Sequence, residues 1–283
     1  MTSTDCDDNS LIESWSGERY DTLVLPLITS ITIGFNSSAW FNSLYIGGGG
    51  SWYLVNRLNL GLRPDGYINT SPVTNTLPVV FIPVNTATVH VVQMADNDGT
   101  DILKCRWANS VSSSNYNNIN ECGGVCSGLP SSTQLFESNC TLSFSLPRTS
   151  LYYACALQIE DYYDSTSTSP MSSVPIQFLF YAYTPSSSGC ATRPSIIGDR
   201  PNRACIGVPV GMSFFERQIN SIFMLICIRI GVSLTETVIA QTYCSNDSII
   251  DFVTSSPIGM THSSIVNPTS GKSHCEINNN NCK

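Results

Sequence analysis

The densest group of side chains able to do chemistry is Asp96-Asn97-Asp98-Gly99-Thr100-Asp101, joined later in the chain by Glu160 and Asp161. Carboxylates at alternate positions around a glycine offer the hard oxygen donors that calcium takes, so Asp96, Asp98, Asp101, Glu160 and Asp161 are the candidate ligands. The run is not an EF-hand loop, because Trp107 stands where the twelfth-position glutamate belongs. A second reading is a tight interstrand turn in which the aspartates cap backbone N–H groups and Gly99 makes the bend. Glu160-Asp161 closes a strand pattern and could meet the same loop, which keeps calcium open as a cofactor.

Other chemistry finds little footing. There is no Gly-x-Ser-x-Gly elbow and no His-Glu-x-x-His. Gly47–Gly50 lacks the Gly-Lys-Ser/Thr continuation of a phosphate loop and reads as a flexible turn or bulge. Gly271-Lys272-Ser273 has that ending, but Val266 stands where the first glycine is required. No enzymatic activity is expected. Trp15, Trp40, Trp52 and Tyr162-Tyr163 could form a sugar platform, against the commoner use of such rings in a core or interface.

Twelve cysteines in a chain with only 12% charged residues suit an oxidising, extracellular setting. Cys122 and Cys126 are closely spaced, but no histidine follows at zinc-finger spacing. The expected disulfides are Cys190–Cys205 and Cys227–Cys244, with Cys105, Cys122, Cys126 and Cys140 pairing among themselves. Cys6, Cys155, Cys275 and Cys282 are left for other bonds, intermolecular ones included. Sequons at Asn36, Asn69, Asn139 and Asn246 are candidate sites for N-linked glycans. A net charge of −8 with no basic run argues against nucleic acid as a partner. The longest apolar run, Ile222–Ile228, stops at Arg229, well short of the ~20 residues of a membrane span, so no membrane insertion is expected. Met1–Ser10 is acidic, unlike a secretory leader, so a secreted form would be a mature chain.

The elements that must hold these residues are strands. Apolar residues alternate at Leu142, Phe144 and Leu146, at Leu151, Tyr153, Cys155, Leu157 and Ile159, at Val174, Ile176, Phe178 and Phe180, and at Ile226, Ile228, Ile230, Val232 and Leu234. Phe214–Asn220 is the best helical candidate and makes only one or two turns. The fold class is all-β, read as tandem immunoglobulin/cadherin-like β-sandwiches of which the C-terminal one is incomplete. The expected divisions are an extension over 1–35, a β-rich region over 36–76, a sandwich over 77–185 and a Cys-linked β-domain over 186–283. Within the sandwich, strands are expected at Val79–Pro83, Thr88–Ala95, Ile102–Ala108, Thr141–Leu146, Leu151–Glu160 and Val174–Tyr183. Tyr153 stands two residues before Cys155, the spacing of a tyrosine corner, and Trp107 is expected in the core. In the last region strands are expected near Cys205–Pro209, Ile222–Leu234, Val238–Tyr243 and Ile249–Val253, with a polar tail after Pro257.

A set of ordered blocks carries a resemblance: Gly48-Gly49-Gly50-Ser51-Trp52, Ile68-Asn69-Thr70-Ser71-Pro72, Cys105-Arg106-Trp107-Ala108, Glu121-Cys122-Gly123-Gly124-Val125-Cys126, Cys140-Thr141-Leu142, Ala156-Leu157-Gln158-Ile159-Glu160-Asp161, Ser172-Ser173-Val174-Pro175-Ile176-Gln177-Phe178-Leu179 and Cys205-Ile206-Gly207-Val208-Pro209. Together, over about residues 45–215, they resemble a Cys-containing β-sandwich module of large uncharacterised secreted proteins of aquatic invertebrates. The resemblance implies an extracellular sandwich of cadherin- or immunoglobulin-like topology and no enzyme activity.

Two roles follow as expectations. One is a structural glycoprotein, a subunit of a homopolymeric filament in which Asp21–Phe35, apolar and β-prone, is the strand donated to the incomplete domain of another copy. The other is a monomeric adhesion or ligand-binding module, calcium-dependent if the acidic residues hold an ion.

Overall fold

The computed structural model describes residues 2–3, 17–18, 21–98, 101–111, 115–185, 194–197, 235–243, 249, 260–263, 265–269 and 272–279. The chain divides into two units, Thr22–Ser187 and Met1–Asp21 with Ser188–Lys283. At its start, β1 (Thr2–Ser3) pairs antiparallel with β2 (Gly17–Glu18).

The Thr22–Ser187 unit is built on alternation. Its strands are β3 (Ser30–Ser38), β4 (Ser51–Asn59), β5 (Val73–Asn75), β6 (Val79–Pro83), β7 (Thr88–Val91), β8 (Gln93–Ala95), β9 (Ile102–Trp107), β10 (Gln134–Phe136), β11 (Thr141–Phe144), β12 (Tyr152–Tyr162) and β13 (Ser172–Tyr183). The main sheet runs β3-β4-β13-β12-β9, with β6 parallel to the second half of β13. A smaller sheet, β10-β11-β7, and a β5-β8 ladder complete the unit. Tyr153, Cys155, Leu157 and Ile159 of β12 share an inner face with Phe178 and Phe180 of β13, and meet Leu142 and Phe144 of the small sheet in one buried core. This is the alternation expected of a sheet pressed against a second sheet. The Cys105–Cys140 disulfide, both sulfurs fully buried, ties β9 to the start of β11. Tyr153 makes its corner: its hydroxyl accepts from Arg148 N at 3.0 Å and donates to Arg148 O at 2.9 Å. Trp107 is half-buried against this core.

The outer face of the sheet is covered as well, which explains why β12 is buried along both sides from Tyr153 to Tyr162. Ala154, Ala156 and Leu179 lie under Leu44, Ala108, Cys122 and Val125. The cover depends on two glycine loops that interlock. A side chain on Gly47 (φ +90°) would strike the carbonyl of Gly124, and one on Gly123 (φ +55°) the carbonyl of Ser51. Gly47–Gly50 is therefore a close-packed backbone contact, not the free turn or bulge expected. The Cys122–Cys126 disulfide closes the facing loop.

Two expected divisions do not hold. The boundary at 76 is absent: β4 joins β13 through Arg57 and Ser173, and Gln158 and Gln177 donate to the Val55 and Tyr53 carbonyls at 3.1 and 2.7 Å, so 36–76 completes the same unit as 77–185. The 1–35 extension is likewise divided, because Ser30–Phe35 lies within β3 and pairs with β4 of its own chain. Among the described residues no strand pairs with Thr22–Leu27 or with the outer edge of β3, and within that leader Leu25 is half-buried and Pro26 O accepts from Thr29 Oγ1 at 2.6 Å.

In the other unit, β14 (Ser195–Ile197), β15 (Thr235–Gln241), β16 (Met260–His262), β17 (Val266–Thr269) and β18 (Lys272–Asn279) form one sheet. Central in it is β18, paired with β15 over seven residues and with β16 and β17 on its far side. The tail after Pro257, expected to be polar, contains β16, β17 and β18; Lys272-Ser273-His274-Cys275-Glu276-Ile277 alternates weakly and gives no apolar signal. The strands expected at 205–209 and 222–234, the helical candidate at 214–220 and all but Ile249 of 249–253 lie outside the described residues. Among the described residues no helix is long and apolar enough to cross a membrane.

Candidate functional site

Three constellations stand out in the Thr22–Ser187 unit. The first gathers the acidic turn. Asp96 and Asp98 follow β8 and Asp101 precedes β9, and one carboxylate oxygen from each lies within 4.8 Å of the others. Arg63 enters this group from the chain after β4. Its Nη1 lies 2.5 Å from Asp98 Oδ2, and its Nη2 lies 2.7 Å from Asp101 Oδ1 and 3.2 Å from Asp65 Oδ2. Burial works against the Arg63 charge, but Asp101, Asp98 and Asp65 outweigh it and raise its pKa. Asp96 is pushed the other way from a normal carboxylate: desolvation, then the charges of Asp161, Asp98 and Asp101, raise its pKa. Asp96 Oδ1 accepts from Asp98 N at 2.7 Å, while its Oδ2 is buried without a hydrogen bond.

These donors suit a hard cation in type, but a guanidinium already supplies positive charge to two of the three carboxylates. Asp161 borders the cluster and is saturated in another way, accepting from Ser172 N at 2.6 Å, Ser172 Oγ at 2.8 Å and Asn69 Nδ2 at 2.5 Å. Glu160 does not belong to the set. Neighbouring residues of a strand face opposite ways, and Glu160 lies on the outer face of the sheet. The five expected ligands are thus three together, one adjacent and one on the far side. Beside Arg63 an open cleft of about 400 Å³ is lined by Asn59, Asn69, Tyr163, Thr166 and Met171.

The second constellation is the outer-face polar network that holds Glu160. Arg106 of β9 grips Glu121 with Nη1 and Nη2 at 2.7 and 2.8 Å, and Glu160 with Nε at 2.7 Å. Tyr162 donates to Glu160 at 2.9 Å, and Asn109 N and Asn117 Nδ2 donate to Glu121 at 2.9 and 2.5 Å. Desolvation and the adjacent Glu160 push the Tyr162 phenol up, so it stays a donor. Both carboxylates are held by Arg106 and by N–H or O–H donors, Asn117 Oδ1 is buried without a hydrogen bond, and the chemistry the network performs is anchoring: it ties Asn109, Asn117 and Glu121 to the sheet.

Among the described residues, Cys155 and His90 are held in the core. Cys155 is a free thiol in the core whose pKa desolvation pushes up, and at 1% exposure it is not placed for the intermolecular bond considered for it. His90 lies between Phe178 and Phe180, part of the packing. The disulfides Cys105–Cys140 and Cys122–Cys126 are the pairing expected among those four, whereas Cys190, Cys205, Cys227 and Cys244 lie outside the described residues. Among the sequons, Asn36 and Asn139 are exposed and Asn246 is outside the described residues. Asn69, expected to carry a glycan, is instead buried, and the Nδ2 that would carry it is bonded to Asp161.

The third constellation went unread in the sequence because its members come from six separate segments. Phe35, Trp52, Trp40, Phe41, Tyr152, Tyr181 and Phe81 form an unbroken line of ring contacts, with centroids 4.8 to 6.4 Å apart and mostly edge to face. Phe35, Phe41, Trp52 and Phe81 are exposed. Of the expected sugar platform only Trp40 and Trp52 lie here; Tyr162 and Tyr163 belong to the other two groups, and Trp15 is outside the described residues. No protein-family model matches the chain, and no curated protein matches its sequence.

Proposed function

We propose that the chain is an extracellular structural glycoprotein, a subunit of a homopolymeric filament joined by β-strand donation through its N-terminal stretch. One observation carries this reading. From Thr22 to Asn56 there is no charged residue, and within that stretch apolar side chains stand in solvent: Leu23, Leu27 and Ile28 are exposed and Val24 is 89% exposed. The adjoining β3 is nine residues long, forms the outer edge of its sheet, and carries neither charge nor proline to discourage pairing. Edges of this kind recruit further strands, and proteins that stay monomeric usually blunt them. With a net charge of −8, two copies repel least where they carry no charge.

An immunoglobulin- or cadherin-like topology for the Thr22–Ser187 unit is supported by the parallel β6–β13 edge, the Tyr153 corner and the Cys105–Cys140 link between its sheets. The disulfides favour an extracellular setting, and exposed Asn36 and Asn139 are the glycan sites this reading retains. Negative-stain microscopy of the purified chain tests it. Filaments are expected from the wild type and isolated particles from the Leu23→Asp/Val24→Asp variant. Isolated wild-type particles at all concentrations would replace this reading with a monomeric adhesion module.

A further inference from the structure

We infer that the aromatic ridge from Phe35 to Phe81 is the seat for the Thr22–Leu27 leader of a second copy of this chain. The inference rests on the self-association proposed above and names both halves of the contact. The ridge is an unbroken line of uncharged rings, of which Phe35 and Phe81 are each 51% exposed. Contiguous apolar surface of this kind marks an interaction site. The leader matches it in chemistry: it too is uncharged, and its Leu23 and Val24 are 64% and 89% exposed.

Backbone detail selects the mode of docking. Pro26 has no N–H and interrupts a ladder at that one position, so strand donation by the leader is completed there by side chains seated on the ridge of rings. Its base is fixed: Ile28 N donates to Leu60 O at 3.1 Å, and Leu60 N to Thr29 O at 2.8 Å. Ile28 itself has φ +66°, a left-handed conformation that a β-branched residue adopts only under constraint. Strain at the joint between the exposed leader and an edge strand suits a hinge that re-aims on docking. Leader and ridge are different surfaces, so the contact is heterologous and propagates head to tail.

Two full-length variants separate the halves. Val24→Asp/Leu27→Asp spoils the leader and leaves the ridge, while Phe41→Ser/Phe81→Ser spoils the ridge and leaves the leader. Each alone is expected to be monomeric by light scattering where the wild type assembles. Mixed in equal amounts, they are expected to give a dimer and nothing larger. A ridge variant that polymerises like the wild type would overturn the ridge as seat while leaving self-association standing; a monomeric wild type would remove both. As a check independent of the ridge variant's folding, a peptide of residues 22–29 should block wild-type assembly and blue-shift tryptophan emission in the leader variant, and a peptide that does neither overturns the inference. Binding of a neutral glucan to a monomeric wild type, lost in the ridge variant, would assign the ridge to carbohydrate instead.

Discussion

Strands β3 and β12 invert what their sequences suggest. β3, Ser-Ile-Thr-Ile-Gly-Phe-Asn-Ser-Ser, has no charged residue and yet is exposed along most of its length, with Phe35 in solvent. β12 contains Gln158, Glu160 and Asp161 and is buried almost throughout. The difference lies in what each face meets. Both sides of β12 find partners, apolar on the inner face and an ion-paired polar network on the outer one, so its carboxylates are buried at tolerable cost. β3 meets β4 on one edge only. Burial is a property of the neighbours, and of these two strands the one lacking them is also the one lacking charge.

That contrast can be broken most severely at Arg106. Arg106→Met would leave Glu121 and Glu160 as uncompensated buried carboxylates, and a loss of about 3–5 kcal/mol is expected in urea unfolding. A loss under about 1 kcal/mol would mean that the outer face is wetter than its geometry implies. At the exposed strand the expected sign reverses. Ile28→Gly relieves a left-handed β-branched residue and should add about 1–2 kcal/mol, offset in part by the entropy of glycine in the unfolded chain; a destabilised variant would show that the Ile28 side chain has a contact worth more than its strain.

The smallest effect sharpens the picture beside β12. The pKa of Asp96 is raised in the folded state by desolvation and by Asp161, Asp98 and Asp101. Folded protein therefore holds this proton more tightly than unfolded chain does, so the group favours folding at low pH and disfavours it as pH rises through the folded value. Asp96→Asn should stabilise the protein slightly at pH 7, with the gain vanishing below the ordinary aspartate range. Thermal melts across pH 3–8 read this directly. A loss at pH 7 in the variant, together with a wild-type melting temperature raised by calcium and not by magnesium, would instead give Asp96 an ion to hold.

Much of the scaffold was legible. The inner-face alternation of Tyr153, Cys155, Leu157 and Ile159 placed β12 correctly, because period two against an apolar layer is a local signal. The pairing of Cys105, Cys122, Cys126 and Cys140 among themselves and the Tyr153 corner were readable from spacing. The outer face was not: Ala154, Ala156, Gln158 and Glu160 resemble a solvated side, and the chain that covers them is distant in sequence. The acidic turn was found, but its arginine partner lies 33 residues before Asp96 and bears no motif.

Composition and local pattern alone determined an all-β, low-charge, cysteine-linked chain, since strand periodicity and residue chemistry act within a few positions. Tertiary structure alone decided that Glu160 turns away from the aspartates, that Asn69 is buried and that seven scattered rings form one ridge. Each of those outcomes depends on which distant backbone passes within a few ångströms, and the energy of such contacts exists only once the chain has closed on itself.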